Sequence, residues 1–249
     1  MNSVFRTDKG RIRTHNEDNG GIFFNSSSDC LAIVADGMGG HNAGDVASQI
    51  TIESMRVQWQ QASPIEDASH AEEWLKSTIN LINERILMHS RDNQECNGMG
   101  TTLVTALCTN RFCTIANIGD SRCYLFNENG FAQVTEDHSL VNELVKSGEI
   151  TKEEAEHHPR KNVLTRALGT DVHVTADYYT ITFEQGNYLL LCSDGLSNKL
   201  ARQDMQDILQ TDLSIEEKAD LFVQQANENG GEDNITLVIL EHSAGLESG

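Results

Sequence analysis

The sequence predicts an α+β fold, with an antiparallel sheet core and α-helices packed outside it. Three observations carry this expectation. Strand and helix signals come in runs instead of alternating, short turns join the middle block of strands, and several strands are near-continuous apolar stretches, as expected where both faces of a sheet are covered.

Val4–Thr7, Gly21–Phe24 and Cys30–Ala35 read as strands, the last unbroken in its apolarity. Beyond a glycine-rich loop, Val46, Ile50, Met55 and Trp59 recur at roughly helical spacing over Asp45–Gln61; Trp74, Ile79, Ile82 and Ile86 repeat it after the Ser63–Pro64 break. Strands follow at Thr101–Cys108, Phe112–Ile118, Cys123–Phe126 and Phe131–Val134. Ser139–Lys146 predicts a short helix, and Thr151–Glu154 has the spacing of a capping box. Strand signals return at Val172–Phe183 and Tyr188–Cys192, helical ones at Arg202–Leu209 and Ser214–Glu228, and a final strand at Ile235–Leu240. No repeat or low-complexity linker divides the chain, so one domain is expected over 1–241, followed by a polar tail, 242–249.

Composition narrows the partners. With 18 Lys plus Arg against 38 Asp plus Glu, the formal charge of −20 opposes attraction to nucleic acid or anionic lipid. No stretch approaches the ~20 apolar residues of a membrane span. The six cysteines form no C-x-x-C pair and mostly sit among apolar or β-branched residues, so neither structural zinc nor a disulfide framework is expected; a reducing cytoplasm is.

The chemistry-bearing pattern is the placement of aspartates at strand ends. Asp36, Asp120 and Asp194 each follow a largely apolar run, and Asp233 precedes the last strand. Taken singly, each Asp-Gly or Gly-Asp reads as a turn former or helix cap. Taken together they suggest a cluster. Three carboxylates converging to about 4 Å would repel by roughly 4 kcal/mol per pair at an effective dielectric near 20, approaching the whole stability of a domain. Protons or cations must intervene, and an oxygen-only donor set suits Mg²⁺ or Mn²⁺.

Competing motifs are weaker. Gly37–Gly44 satisfies no frame of G-x-G-x-x-G, Ser193 lacks a G-x-S-x-G context, and the adjacent His157 and His158 make a poor chelating pair.

The motifs Arg13-Thr14-His15-Asn16-Glu17-Asp18-Asn19, Val34-Ala35-Asp36-Gly37-Met38-Gly39-Gly40-His41, Gly98-Met99-Gly100-Thr101-Thr102, Ile118-Gly119-Asp120-Ser121-Arg122, Cys192-Ser193-Asp194-Gly195 and Gly231-Glu232-Asp233-Asn234 stand in an order that resembles the metal-dependent serine/threonine phosphatases of the type 2C class. The chain is especially similar to the stand-alone bacterial members that oppose PASTA-domain serine/threonine kinases. The resemblance implies a central antiparallel β-sandwich flanked by helices on both sides, four layers in all, with a small flap at about 137–170. It also implies dephosphorylation of phosphoserine and phosphothreonine by in-line attack of a metal-bridging water.

Carried over by motif, Asp36 would bridge two Mn²⁺ or Mg²⁺ ions, with the Gly37 carbonyl on one and Asp194 and Asp233 on the other. Asp120, with Asp194, would supply a third ion site. Glu17 and Asp18 would hold metal-bound waters, and Arg13 would bind the substrate phosphate. A monomer acting on phosphoproteins, a PASTA-type kinase among them, is expected. Met38 occupies the position where many eukaryotic members carry a histidine proposed as general acid. A thioether cannot donate that proton, so water on a metal is preferred, with His41 as the alternative. Arg122 is expected in a structural ion pair, and Arg160, Lys161 and Arg166 in a basic patch that is either a guide for substrate or a solvated face. The rival reading is a catalytically silent metal-binding scaffold.

Overall fold

A computed structural model describes residues 1–40 and 43–243. Two antiparallel sheets face each other. One is ordered β1 (Asn2–Asp8), β11 (Ile235–Glu241), β10 (Tyr188–Cys192), β7 (Arg122–Asn127), β8 (Gly130–Gln133). The other is ordered β2 (Asp18–Phe24), β3 (Cys30–Met38), β5 (Leu103–Cys108), β6 (Phe112–Ile118), β9 (Asp177–Thr182), and β4 (Gly100–Thr101) adds to the end of β3.

Alternation along β3 explains its unbroken apolarity. Cys30, Ala32 and Val34 enter the core between the sheets with Val104, Ile115, Leu189, Leu191 and Val238. Leu31, Ile33 and Ala35 point the other way, onto α1 (Ala43–Gln60) and α2 (Ala68–Asp92), where Met55, Trp59, Leu75, Ile79, Ile82 and Ile86 are buried. The opposite sheet turns Val4, Leu190, Leu237 and Ile239 toward α6 (Arg202–Gln210) and α7 (Ile215–Glu228). The result is the four-layer α+β sandwich that the motifs imply.

The remaining helices are short: α3 (Leu140–Lys146), α4 (Lys152–Glu156) and α5 (Asp194–Ser197). The Thr151 capping box forms as its spacing predicts, Thr151 Oγ1 accepting from Glu154 N–H at 3.2 Å and Glu154 Oε2 from Thr151 N–H at 2.8 Å.

Two expectations are corrected. The strand signal at Val172–Phe183 yields a strand only over Asp177–Thr182. Upstream, Asn83 of α2 takes up the backbone: its Oδ1 accepts from Gly169 N–H at 2.7 Å and its Nδ2 donates to Asp171 O at 2.8 Å. These bonds hold the chain just before Val172 against a helix side chain. Second, Cys30, Cys96, Cys123 and Cys192 are buried free thiols, but Cys108 and Cys113 are joined in a disulfide. They are register partners at the turn end of the β5–β6 hairpin, with Cα atoms 4.1 Å apart, and cross-strand pairing is what brings the two thiols together.

Candidate active site

The strand-end aspartates meet at one end of the sandwich. Asp36, Asp120, Asp194 and Asp233 line a cavity of about 280 Å³ together with Arg13, Glu17, Gly37 and Met38, and Asn162 and Leu164 close it from the 137–170 segment.

Each position has a local cause. β3 runs on past the expected end at Ala35, so Asp36 lies within a strand and not in a turn. Its N–H donates to Thr102 Oγ1 at 3.0 Å, and its carbonyl accepts from Thr102 N–H and Thr101 Oγ1, each at 2.9 Å. Thr102 Oγ1 also bonds Ser121 Oγ at 2.7 Å, which ties the Asp36 strand to the Gly119–Ser121 corner. Gly37 is needed for close approach, because an added Cβ would collide with the backbone of Gly44 at the start of α1. Asp194 opens α5 beneath the end of β10.

Asn234 anchors the segment that carries Arg13. Its Nδ2 donates to Lys9 O and His15 O, each at 2.9 Å, and its Oδ1 accepts from Glu17 N–H at 2.8 Å. Arg13 Nη2 then reaches Asp233 Oδ2 at 2.8 Å.

Asp18 sits beside the cavity without lining it. The register of β2 on β3 puts it directly opposite Asp36, and like charges so placed repel. It is 8% exposed and accepts from Ser193 Oγ at 2.6 Å.

The electrostatics follow from this crowding. Burial pushes the Asp18 carboxyl up to about 7, with Asp194 and Asp233 adding to the effect and bonds from Ser193 and Thr236 opposing it. Desolvation and then Asp194 and Asp137 push Asp120 up to about 7, against Arg122. Asp36 is raised well above the ordinary value by desolvation and by Asp18, Asp194, Asp120 and Asp233. Asp194 is raised by desolvation and Asp233, and Glu17 by burial, partly opposed by Arg13.

Among the described residues no group of three His, Cys, Asp or Glu side chains is already set as a ligand cage. Two of the carboxylates already have partners: Asp233 is held by Arg13, and Asp194 by Asn198 Nδ2 at 3.1 Å. The donor set nevertheless fits a hard divalent cation. It offers carboxylate and carbonyl oxygens alone, drawn from four chain segments, in a small cavity whose repulsion a cation relieves.

The other candidates sort clearly. Arg122 forms the expected ion pair, its Nη2 2.7 Å from Asp137 Oδ2. Arg166 is corrected: its guanidinium is 2.7 Å from Asp177 Oδ1, so only Arg160 and Lys161 of the basic patch stay exposed and unpaired among the described residues. His157 is exposed and His158 half-buried. His41 lies outside the described residues. Thr102, Ser193 and Asn234 lie inside the quoted motifs, but the bonds they make to distant backbone and side chains are visible only in the fold.

Residues 10–229 match the family model described as Protein phosphatase 2C. A serine/threonine phosphatase stp from Listeria welshimeri is 49% identical over 98% of this chain and 96% of its own length. The solved serine/threonine phosphatase Stp1 from Staphylococcus aureus superposes with a TM-score of 0.92 at 39% identity, covering 97% of this chain and 95% of that one. The catalytic domain of the phosphatase PstP, solved in complex with two manganese ions, gives a TM-score of 0.86 at 32% identity, with 98% of each chain covered. Matched over most of its length in sequence and in fold, the chain belongs to the protein phosphatase 2C family.

Proposed function

We propose that this serine/threonine protein phosphatase hydrolyses phosphoserine and phosphothreonine on proteins by direct attack of water, with no phosphoenzyme intermediate. The observation that carries the reading is the convergence of Asp36, Asp120, Asp194 and Asp233 with Arg13 on one cavity. Asp36, the Gly37 carbonyl, Asp194 and Asp233 would hold two Mn²⁺ or Mg²⁺ ions, Asp120 with Asp194 a third, and Glu17 and Asp18 the surrounding water. Bound there, such ions lower the pKa of water and offset charge on the transferring phosphoryl group.

The chain's own residues supply the rest. The Arg13 fork suits phosphate oxygens, and its partial exposure leaves it able to exchange Asp233 for substrate. Among the described residues no side-chain nucleophile competes with water: Ser193 is fully buried against Asp18, and Thr102 Oγ1 is taken by Ser121 and Asp36 N–H. Met38 lines the cavity but carries no proton to give, so a water held at the site would protonate the leaving alkoxide, with His41, which lies outside the described residues, as the alternative donor.

Residues 137–170 act as a flap on a single catalytic domain, and the chain works as a monomer. Its substrates include a PASTA-type kinase, a pairing supported by the motif resemblance. Four of the six cysteines are buried free thiols, as a reducing cytoplasm allows, whereas the Cys108–Cys113 bond counts against it, and no described helix is long and apolar enough to cross a membrane.

Hydrolysis of p-nitrophenyl phosphate and a phosphothreonine peptide with Mn²⁺, with EDTA, and after Asp194→Asn tests the reading. Activity is expected only for the wild type with metal. Turnover in EDTA, or by the variant at the wild-type rate, refutes the mechanism; metal binding without turnover favours the scaffold.

A further inference from the structure

We infer that His138 is the positioning residue for Asp120, gripping both backbone polar groups of Gly119, the residue that precedes it. The inference rests on the proposed role of Asp120 as a metal ligand. His138 is 1% exposed. Its ring Nδ1 receives the Gly119 N–H at 3.1 Å, and its own backbone N–H donates to the Gly119 carbonyl at 2.9 Å.

Gly119 needs such a grip. Its φ of +100° belongs to the region that glycine alone visits cheaply, and an added Cβ would stand 2.6 Å from Thr102 Cγ2. Without a side chain of its own to pack, this residue would be free to swing and to carry Asp120 with it.

The ring is in turn fixed from the other side. An Nδ1 that accepts carries no proton, so Nε2 carries it and donates to Asp177 Oδ2 at 3.0 Å. Arg166 Nη1 meets the other oxygen of Asp177 at 2.7 Å and stands 3.2 Å from the same ring nitrogen, two donors converging on one carboxylate. The His138 carbonyl accepts from Thr165 N–H at 2.9 Å. The chain Arg166–Asp177–His138–Gly119 therefore runs from the base of the proposed flap and from β9 to the cavity wall. It is the arrangement by which outer residues orient inner ones around a metal.

The test separates the two ring nitrogens. In His138→Asn the amide oxygen falls near the place of Nδ1 and keeps the acceptor for Gly119. In His138→Gln the amide nitrogen falls near the place of Nε2 and keeps the donor to Asp177, but the acceptor is lost. Mn²⁺ titrations followed by the free-ion EPR signal would be run on full-length wild type, Asp120→Asn and both variants. His138→Gln is expected to weaken one class of Mn²⁺ site by about 10–100-fold, in line with the loss of outer partners, as Asp120→Asn does, while His138→Asn stays near wild type.

A merely structural histidine would lower the melting temperature of both variants and leave both titrations unmoved, which would overturn the inference; so would equal weakening in both. If Asp120→Asn itself leaves the titration unchanged, the assignment of Asp120 falls and the inference with it. If Asp120→Asn weakens binding and His138→Gln does not, the inference falls alone. Should either variant fail to fold, ¹⁵N NMR of the histidine rings in the Mg²⁺-loaded wild type decides. A bare Nδ1 with protonated Nε2 is expected, and a protonated Nδ1 overturns the inference.

Discussion

Asp18→Asn in the metal-free protein tests the electrostatics of the site. Asp18 faces Asp36 across the β2–β3 ladder, and its carboxyl is pushed from an ordinary 3.8 up to about 7, chiefly by burial. Because the folded value is the higher one, the neutral carboxyl's contribution to stability is full below about 3.8 and is lost as pH rises through about 7. At pH 8 ionised Asp18 costs the fold on the order of 4 kcal/mol, and sharing of protons with neighbouring carboxyls leaves about 2–4 kcal/mol for this residue. Asparagine removes the charge and keeps the oxygen that accepts from Ser193 at 2.6 Å.

At roughly 2–4 °C per kcal/mol for a chain of this size, the variant should melt about 4–16 °C above wild type at pH 8. Near pH 5, where both side chains are largely neutral, the gap should narrow to a few degrees. Circular dichroism melts in EDTA at the two pH values measure it. A variant less stable than wild type at pH 8, or a gap independent of pH, would show that burial and like charge do not govern this carboxyl. Saturating Mn²⁺ should narrow or reverse the order, since the ion binds the folded wild type more tightly.

Arg13→Ala should lower kcat/KM for a phosphothreonine peptide by about 10–100-fold, as expected for lost hydrogen bonds to a charged group, and Arg13→Lys should restore it only in part; full activity of the alanine variant in steady-state assays would remove Arg13 from phosphate binding. Reversing Arg160 and Lys161 to glutamate should raise KM for an acidic phosphopeptide at low salt and leave p-nitrophenyl phosphate unaffected. Unchanged peptide kinetics would make them a solvated face. The Cys108–Cys113 bond closes only a short loop, so its reduction should cost about 2 kcal/mol and about 4–8 °C in melting temperature. An unchanged melt in dithiothreitol would mean that the hairpin is ordered without it.

Most of the fold was legible along the chain, because its elements obey strong local periods. The β3 run and the α1 and α2 stripes each match their observed place within a few residues. Where reading failed, a distant side chain had overridden a local signal. Val172–Ala176 has strand character, but Asn83 holds the backbone just before it against α2. Arg166 looks like a free cation beside Arg160 and Lys161, but Asp177, on another strand, neutralises it. Cys108 and Cys113 resemble core hydrophobes until hairpin register makes them opposite partners. The candidate site was legible as a set of acidic positions, because aspartate after an apolar run is visible in sequence. Its supports, Thr102, Asn234 and His138, were not, since nothing local distinguishes a hydroxyl, amide or ring that bonds a backbone elsewhere in the chain.

The sequence by itself determined the types and order of the elements, the family motifs, and the oxygen-only character of the donors. Periodicity, turn chemistry and side-chain identity act over a few residues and need no partner. Only the tertiary structure decided which carboxylates crowd one another, that Asp18 faces Asp36, and which arginines are already spent. Those are contacts between residues as far apart as the 175 positions separating Ser193 from Asp18, and their energies exist only once both sheets have closed over the core.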